Sequence, residues 1–286
     1  MPHTEQNDPH AMFVADGDEF QPTRYSLGYW APGTLTGSAV ASLLGHVIEA
    51  RHGEAGFVPV RFCVDLMALV AADAVHVETR VIKSGGRLRL VEAEIHSGGS
   101  LKARATLQFL RETQAPANPT WQTPAWAAPA PDGIEHRIRK GAWELRPIPA
   151  HGSSTQRFSP GAADPALGNP PVLGELSPVA ARQTWLEVDR AIVEGVPHTP
   201  FSRLALAADF ASPLAHSSEV GIDYVNTDFT IYAHRLPVGG WLGFEQIGHL
   251  SRQGIAVGEC RIHDLDGPVG TISVSALAQT KVNKPR

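Results

Sequence analysis

Asp209 lies at a position where a carboxylate is expected to destabilise the folded protein. It follows the apolar run at 204–208, near the C-terminal end of a predicted helix, and the negative end of a helix dipole disfavours a carboxylate. The presence of an acid here has two open explanations. Either the side chain has a function, or it has none and simply faces solvent or caps a neighbouring segment. Asp209 is therefore the first candidate for acid–base chemistry.

A second set of polar residues follows Asn226 on a predicted strand. Alternation along a strand places every second residue from Asn226 to His234 on one face, including Thr230. An amide can hold a water molecule as well as a hydroxyl can, although it relays a proton less readily. Thr230 either supports such a site or is an ordinary strand threonine, and threonine's preference for strands favours the second explanation.

Several catalytic signatures are absent from the sequence. It contains no G-x-S-x-G nucleophile elbow, no glycine-rich phosphate loop, no H-E-x-x-H and no paired C-x-x-C, and its 13 histidines are scattered. We therefore expect neither a metal nor a cofactor. Two cysteines, Cys63 and Cys260, cannot form a disulfide framework and are expected to be buried, reduced thiols.

Size and composition indicate a globular chain that can hold two domains. The sequence has 286 residues, 43% hydrophobic and 19% charged, and single cores stop growing near about 250 to 300 residues. A net charge of -5 gives no basic field for nucleic acid or an anionic membrane. The polar N-terminus and the lack of a long apolar run predict a soluble, cytoplasmic protein.

Hydrophobic periodicity predicts one helix followed by four strands in each half of the chain. The first half has a helix at 33–52 and strands at 58–70, 74–83, 87–96 and 101–110. The second half has a helix at about 199–212 and strands at 221–233, 240–249, 255–263 and 269–278. Thr199 is the predicted N-cap of the second helix, Pro200 its first residue and Pro213 its stop.

The two halves also align at a fixed offset of 167 residues. That offset joins Phe62 to Phe229, Glu92 to Glu259 and the pair Ile-His at 95–96 to the same pair at 262–263. Internal repetition of this kind predicts one supersecondary unit used twice. The repeat gives an N-terminal unit at 1–112, a proline-rich linker at 113–140 and a C-terminal unit at 141–286, whose Gly-, Ser- and Pro-rich stretch at 151–181 is predicted to be a mobile loop.

Short motifs in both halves resemble the acyl-CoA thioesterase II (TesB-like) family. In the first half they are GTLTGSA at 33–39, VETR at 77–80, KSGGR at 83–87 and ATLQF at 105–109. In the second half they are AADF at 207–210, NTDFT at 226–230, HRLP at 234–237 and DGPVG at 266–270. The resemblance spans nearly the whole chain outside the linker and rests on motif order rather than on one signature.

This resemblance implies an α+β double hotdog, in which each of two tandem units wraps an antiparallel sheet around a long central helix. It further implies hydrolysis of an acyl-CoA thioester without a covalent serine, through a water held by an Asp, a Thr or similar residue, and a Gln. Carried over by residue, the Asp is Asp209, Asn226 replaces the Thr, and Thr230 is a supporting candidate. The partner implied is an acyl-CoA substrate.

Four more residues are expected to bind substrate. Gly33 and Gly37 allow close backbone approach to a ligand, or simply close helix-to-sheet packing. His234 and Arg235 can meet substrate phosphates, or form a solvated strand edge. Because hotdog sheets leave broad faces and edges that commonly pair, a homodimer or higher homo-oligomer stays an open alternative to a monomer.

The sequence departs from the family at the Gln. Val274 occupies that position, between Ser273 and Ser275, and a valine can neither donate nor accept a hydrogen bond. Gln279 lies five residues further on, on the opposite face of a regular strand unless a bulge intervenes. Because Ser42 stands at the position equivalent to Asp209, one chemical site per chain is expected.

Three hypotheses for function stay open. The chain is a thioesterase with an incomplete set of orienting groups, or a non-catalytic protein that binds acyl-CoA or an acyl chain. The third hypothesis is another hotdog chemistry, such as hydration of an enoyl-CoA, which would leave the thioester intact.

Overall fold

The structure, a computed structural model, describes residues 10–140, 143–148, 181–218 and 221–279. Within these ranges the chain forms three α-helices and seventeen β-strands, and fifteen of the strands join in one sheet. None of the helices in the described ranges is long and apolar enough to cross a membrane.

The elements of the first half precede the proline-rich stretch. In chain order they are β1 (Ala11–Asp16), β2 (Glu19–Pro22), α1 (Gly37–His52), β3 (Phe57–Leu66), β4 (Val75–Ser84), β5 (Leu88–Ser97) and β6 (Ser100–Arg111).

The elements of the second half include two helices separated by two residues. In chain order they are β7 (Ile138–Lys140), β8 (Trp143–Ile148), β9 (Gln183–Val188), β10 (Ala191–Val193), α2 (Pro200–Ala208), α3 (Ala211–His216), β11 (Ser217–Ser218), β12 (Gly221–Ile222), β13 (Tyr224–Asn226), β14 (Asp228–Ala233), β15 (Trp241–Arg252), β16 (Ile255–Asp264) and β17 (Gly267–Ala278).

One sheet runs through both halves and carries the helices on its inner face. Its order is β10-β1-β2-β4-β5-β6-β3-β14-β17-β16-β15-β9-β8-β7, with β13 added beside β17. The halves join where β3 pairs antiparallel with β14. In front of this join, Phe62 contacts Phe201 of α2 edge to face, with ring centroids 5.5 Å apart. The main hydrophobic core is therefore shared by the two halves.

Strand registers repeat at the offset of 167 that the sequence predicts. At the join, Cys63 lies opposite Thr230, which is the residue 167 positions after it. Away from the join, Val91 pairs with Leu107, and the residues 167 positions later, Gly258 and Val274, also pair. The repeated register supports the sequence-based alignment of the halves independently of residue identity.

The first helix is shorter than predicted. It begins at Gly37 rather than at residue 33, and the side chain of Thr36 caps it by accepting a hydrogen bond from the backbone N–H of Ala39. Gly33 has a φ of 71°, in the left-handed region that glycine favours, so it cannot belong to the helix.

The second helix begins as predicted but is interrupted. Thr199 is its N-cap in a capping box with Ser202, which confirms the predicted start. The prediction that Pro213 ends it was wrong: α2 stops at Ala208, and Pro213 lies in the first turn of α3. A proline has no N–H for the carbonyl of Asp209 and its ring crowds that carbonyl, so the backbone N–H of Ser212 donates to it instead, at 3.2 Å.

Part of the proline-rich stretch packs on the outer face of the sheet. Trp126 stacks on His263 of β16, with ring centroids 4.6 Å apart, above a position on β15 where Gly243 leaves room. The indole N–H of Trp185 donates to the carbonyl of Pro129 at 2.8 Å. The predicted linker thus also contains β7 and a strap of defined structure. The predicted loop at 151–181 lies, except for its last residue, outside the described residues.

Of the two cysteines, only Cys260 is fully buried as expected. Cys63 is half-buried, because it points to the outer face of β3 opposite Thr230. Both are free thiols.

Candidate active site

Asp209 and Asn226 form a hydrogen-bonded pair on the inner face of the sheet. The side-chain amide of Asn226 donates from Nδ2 to Oδ1 of Asp209 at 2.8 Å. Asp209 lies at the break between α2 and α3, and Asn226 is the last residue of β13. The structure therefore brings together two of the three predicted catalytic residues.

A β-bulge aims Asn226 at Asp209. Asn226 pairs with Ala276, but Thr230 pairs with Ser273, so the register shifts by one residue around Thr227. The prediction that Asn226 and Thr230 share a face was wrong for this reason. Thr230 alternates with buried Phe229 and therefore lies on the outer face, away from the pair.

Asp228 is also on the outer face. Its Oδ1 accepts hydrogen bonds from the backbone N–H and the hydroxyl of Ser275, at 2.7 and 2.5 Å. These bonds connect β14 to β17 next to the bulge, so Asp228 and Ser275 hold the strand that presents Asn226.

The carboxylate of Asp209 lies at the N-terminus of α1. A Cβ atom at Gly37, the first residue of α1, would be 3.0 and 3.1 Å from its two oxygens, so only glycine leaves the carboxylate room. The backbone N–H of Ser38 also faces the carboxylate. Although Asp209 follows the unfavourable end of its own helix, the positive end of a neighbouring helix dipole stabilises its charge.

Burial and hydrogen bonding act on the pKa of Asp209 in opposite directions. Burial raises it, the hydrogen bonds from Asn226 and Ser38 lower it, and the net result is a pKa above that of an ordinary aspartate. The nearby Tyr29, partly exposed, has a pKa raised by burial and by the charge of Asp209. A carboxylate with a raised pKa accepts a proton more readily near neutral pH, as a general base must.

Sequence reasoning missed Ser38 and Tyr29 as neighbours of the acid. A signal for Ser38 was present, because Thr36 followed by an apolar run is an N-cap pattern that places the helix start at Gly37. No comparable signal identified Tyr29, which reaches the site from an irregular segment before α1.

Two of the predicted substrate-binding residues lie far from the pair. The backbone N–H of His234 donates to the carbonyl of Val269, whereas Asn226 pairs with Ala276 on the same strand, which puts about 20 Å of strand between them. Arg235 forms a bidentate ion pair with buried Asp264, at 2.5 and 2.6 Å. Arg235 is thereby committed to the turn between β16 and β17.

The remaining two, both glycines, lie at the start of α1. Gly37 contacts Asp209 as described. Gly33 supplies a left-handed turn, and its carbonyl accepts a hydrogen bond from the backbone N–H of Ala72 at 2.8 Å. The glycine at position 33 is thus explained by its backbone conformation.

Val274 is buried on the inner face, where the family's Gln was expected. It is 2% exposed and lies opposite Gly258 of β16. The neighbouring Ser273 and Ser275 point to the outer face, so neither replaces the Gln by a register change. Gln279 follows the end of β17, and its backbone N–H donates to the carbonyl of Asp223 at 2.7 Å.

A cleft of about 480 Å³ is lined in part by β13, although neither Asp209 nor Asn226 is among its lining residues. Tyr224, two residues before Asn226 on the same face of β13, lines it together with His216 and His249. The Nδ1 atoms of the two histidines are 3.0 Å apart, and burial lowers the pKa of His216 to about 4. The His216 imidazole is therefore neutral near pH 7, and a hydrogen bond joins the two rings.

No group of three or more His, Cys, Asp or Glu side chains in the described ranges is arranged to hold a metal ion. Around Asp209 the polar groups include the amide of Asn226, the backbone N–H of Ser38 and the phenol of Tyr29. This arrangement can hold and deprotonate a water molecule.

The fold is similar to that of several solved structures, one of which is described as a hotdog fold. A protein of unknown function with a hotdog fold from Alicyclobacillus acidocaldarius is 14% identical, with a TM-score of 0.66 over 96% of this chain and 98% of that one. The TesB protein of Mycobacterium avium subspecies paratuberculosis is 15% identical, with a TM-score of 0.63 over 94% and 96%. Acyl-CoA thioesterase II TesB2 of Mycobacterium marinum is 14% identical, with a TM-score of 0.59 over 86% and 91%.

Two family models match this chain and are more specific about its family than the similarity of fold. Residues 27–110 match the acyl-CoA thioesterase N-terminal domain, and residues 113–277 match the acyl-CoA thioesterase C-terminal domain. The chain therefore belongs to the acyl-CoA thioesterase family, as its motifs predicted. No curated protein sequence matches it significantly.

Proposed function

We propose that this protein hydrolyses acyl-CoA thioesters at a single site in which Asp209 activates a water molecule, and that its halves are two tandem hotdog units. The observation that carries the reaction is the hydrogen bond of 2.8 Å between Asn226 and Asp209 at the N-terminus of α1. The repeated strand register supports the tandem units.

In this mechanism Asp209 is the general base. The Asn226 amide donates to Oδ1 and fixes the orientation of the carboxylate, while the amide oxygen of Asn226 can accept a hydrogen bond from water. The water oxygen bonds to the thioester carbonyl carbon as its proton passes to Asp209. The C–S bond then breaks, and the thiolate of CoA takes up a proton, so no covalent enzyme intermediate forms.

Charge developing on the carbonyl oxygen needs hydrogen-bond donors. The first turn of α1 offers the positive end of a helix dipole and the backbone N–H of Gly37, since the N–H groups of Ser38 and Ala39 already donate to Asp209 and Thr36. Gly37 has no side chain, so the Asp209 carboxylate and the water that it holds can lie close to this turn. Loss of one such donor typically costs about 10²- to 10³-fold in rate.

The cleft beside Tyr224 is the proposed place of the acyl group. It lies on the same inner face as Asn226, and its volume of about 480 Å³ falls within the usual range for small-ligand sites. Its lining is partly apolar, with alanines and Tyr224, and partly polar, with His216, His249, Arg182 and Asp223. We expect the protein to prefer short or polar-substituted acyl groups over long alkyl chains.

Release of free thiol from a panel of short, medium, long and aromatic acyl-CoAs tests the proposal. We expect turnover with at least one of them and a loss of at least about 100-fold in kcat in D209N, because an amide cannot accept the proton. The variant should keep its fold, since Asn differs from Asp by one atom group and retains a partner in Asn226. Unchanged turnover in D209N would show that the base is elsewhere.

A second candidate is an acyl-CoA binding protein without turnover. The buried Val274 favours it, because no side chain at that position can orient a water. Measurable binding of an acyl-CoA by calorimetry, without thiol release from any member of the panel, would establish this candidate. Mass spectrometry of the products distinguishes hydrolysis and binding without turnover from hydration of an enoyl-CoA, because hydration adds water and leaves the thioester intact.

A further inference from the structure

Residues 28–34 form a closed loop at the start of α1, which we call the tyrosine loop. At its mouth, the backbone N–H of Gly28 donates to the carbonyl of Thr34 at 2.6 Å. Just outside the mouth, the backbone N–H of Thr36 donates to the carbonyl of Ser26 at 2.8 Å. Both ends of the tyrosine loop are therefore tied to the first turn of α1, which is the turn that faces the candidate base.

Close backbone contacts fix the position of the tyrosine loop. A Cβ atom at Gly28 would lie 2.8 Å from the carbonyl oxygen of Leu35, so any other residue would push the two segments apart. On the other side, the backbone N–H of Leu35 donates to the carbonyl of Val70 at 2.9 Å, which ties the end of the loop to the segment after β3. The loop thus holds its side chains in place before any ligand binds.

Tyr29 is the side chain that the tyrosine loop brings to Asp209. Its ring lies against Trp30, with centroids 4.9 Å apart and planes tilted by 39°. The residue is 44% exposed, yet burial and the charge of Asp209 both raise the pKa of its phenol, so the hydroxyl is the end that points inward. The phenol is therefore protonated at neutral pH and can donate a hydrogen bond.

The Tyr29 hydroxyl has no hydrogen-bond partner among the residues that the structure describes. The carboxylate of Asp209 instead accepts hydrogen bonds from the amide of Asn226 and the backbone N–H of Ser38. A donor that lies near a carboxylate without bonding to it is available to a ligand bound beside both groups.

We propose that Tyr29 is a catalytic residue whose phenol donates a hydrogen bond to the carbonyl oxygen of the bound thioester, a role that rests on the proposed hydrolysis. Oxyanion holes combine several donors, and tyrosine hydroxyls serve in them. In the first turn of α1 the backbone N–H of Gly37 is uncommitted, while the next two donate within the protein. Tyr29 supplies a second donor, which the buried Val274 cannot do.

The Tyr29 hydroxyl acts as water adds to the thioester. The water oxygen bonds to the carbonyl carbon, its proton passes to Asp209, and the C=O electron pair moves to the oxygen that Tyr29 and Gly37 contact. When this pair returns, the C–S bond breaks and the CoA thiolate leaves, while the phenol keeps its own proton throughout. Because the oxygen is more negative in the transition state than in the bound substrate, the hydrogen bond should increase kcat more than it affects KM.

Tyr29→Phe tests the proposal, because it removes the hydroxyl and keeps the ring against Trp30. With the acyl-CoA that the wild type hydrolyses fastest, we expect kcat to fall about 100-fold or more and KM to change less than about threefold. The midpoint of thermal unfolding should stay that of the wild type. The acid limb that Asp209 gives to the pH profile should also persist, since the lost group carries no charge.

Tyr25→Phe is the matched control, because its hydroxyl bonds to Arg24 outside the tyrosine loop, at 2.6 Å. Its kinetics should equal those of the wild type. Wild-type kcat in Y29F, measured beside an inactive D209N, would overturn the role of Tyr29 and leave hydrolysis in place. A higher KM with a lower unfolding midpoint in Y29F would overturn it as well, in favour of a structural role. No turnover by the wild type would overturn the hydrolysis itself and the role of Tyr29 with it.

Discussion

At the scale of single residues, the dipoles of two helices act on the charge of the Asp209 carboxylate in opposite directions. Its own helix ends at Ala208 and disfavours its charge, whereas the first turn of α1 favours it. The sequence was sufficient to single out Asp209 and Asn226 as candidates, because both lie in short motifs of recognisable order, and the structure places them in contact. The N-cap pattern at Thr36 indicated where Ser38 lies but not that it faces the acid, and no pattern indicated Tyr29, because proximity across the two halves is a property of packing.

The raised pKa of Asp209 has consequences for rate and stability. The base form is active, so kcat/KM should fall as the pH drops through a pKa above that of an ordinary aspartate, and the D209N variant should lack this acid limb. Ionisation also costs stability in the folded state. This cost is absent below the unfolded pKa and is complete above the folded pKa, so D209N should unfold at an equal or higher temperature than the wild type at pH 7. An acid limb that persists in D209N would contradict the assignment.

Gly37→Ala should separate activity from stability. The new Cβ would lie 3.0 to 3.2 Å from the Asp209 oxygens and from Cδ1 of Leu66, so the carboxylate must shift by a few tenths of an ångström. We expect kcat/KM to fall about tenfold or more, while the better helix propensity of alanine, less than about 1 kcal/mol at the first residue of a helix, offsets part of the strain. The control is Gly45→Ala, which crowds Phe62 and Ala205 similarly but not Asp209. Equal activity losses in both variants would rule out a specific role for Gly37.

At the scale of elements, two irregularities build the site: the break after α2 and the bulge at Thr227. Regular periodicity predicted neither, since an alternation rule assumes one residue per step and a helix pattern assumes unbroken backbone hydrogen bonds. A hint was nevertheless present. Pro59, at the position equivalent to Asn226, lies beside a register shift in β3, and proline within a strand indicates a bulge or an edge.

Pro213→Ala tests whether the proline causes the break. Alanine restores an N–H that can bond the carbonyl of Asp209, so α2 and α3 should merge and turn the carboxylate away from Asn226. We expect higher helix content by circular dichroism together with at least about tenfold lower kcat/KM. Pro200→Ala should change neither, because Pro200 is the first residue of α2, where its missing N–H has no helical partner. Unchanged activity in P213A would mean that tertiary packing alone holds the break.

At the scale of the whole molecule, the order of the main elements was predictable and the pairing of the short strands β1 and β10 was not. The long strands have clear periodicity and glycine turns between them. The short β1 and β10 pair in parallel with each other across about 180 residues of sequence, and no local pattern encodes such a partner. Likewise, the strap through Trp126 resembled plain linker because its stability comes from the surface on which it lies.

Gly243→Ala should displace that strap. Its Cβ would collide with the Trp126 ring and lie 3.1 Å from Cζ3 of Trp185. We expect the midpoint of urea unfolding to fall, with a loss of about 1 to 3 kcal/mol from overpacking, and the tryptophan emission to shift to the red as Trp126 becomes solvated. Gly248→Ala on the same strand has its nearest neighbour at 3.5 Å and should change the emission little. An unshifted spectrum in G243A would show that the strap moves without exposing its tryptophan.

The buried Ser42 shows what a fused chain gains over two separate, identical ones. It stands 167 positions before Asp209 and is fully buried, with its hydroxyl donating to the carbonyl of Ala39 at 3.1 Å. Two identical chains would have to carry the acid in both places and bear the desolvation of the carboxylate twice. When both copies lie in one gene product, each position evolves by itself, so one copy keeps the destabilising acid while the other fills the same place with a residue chosen for packing.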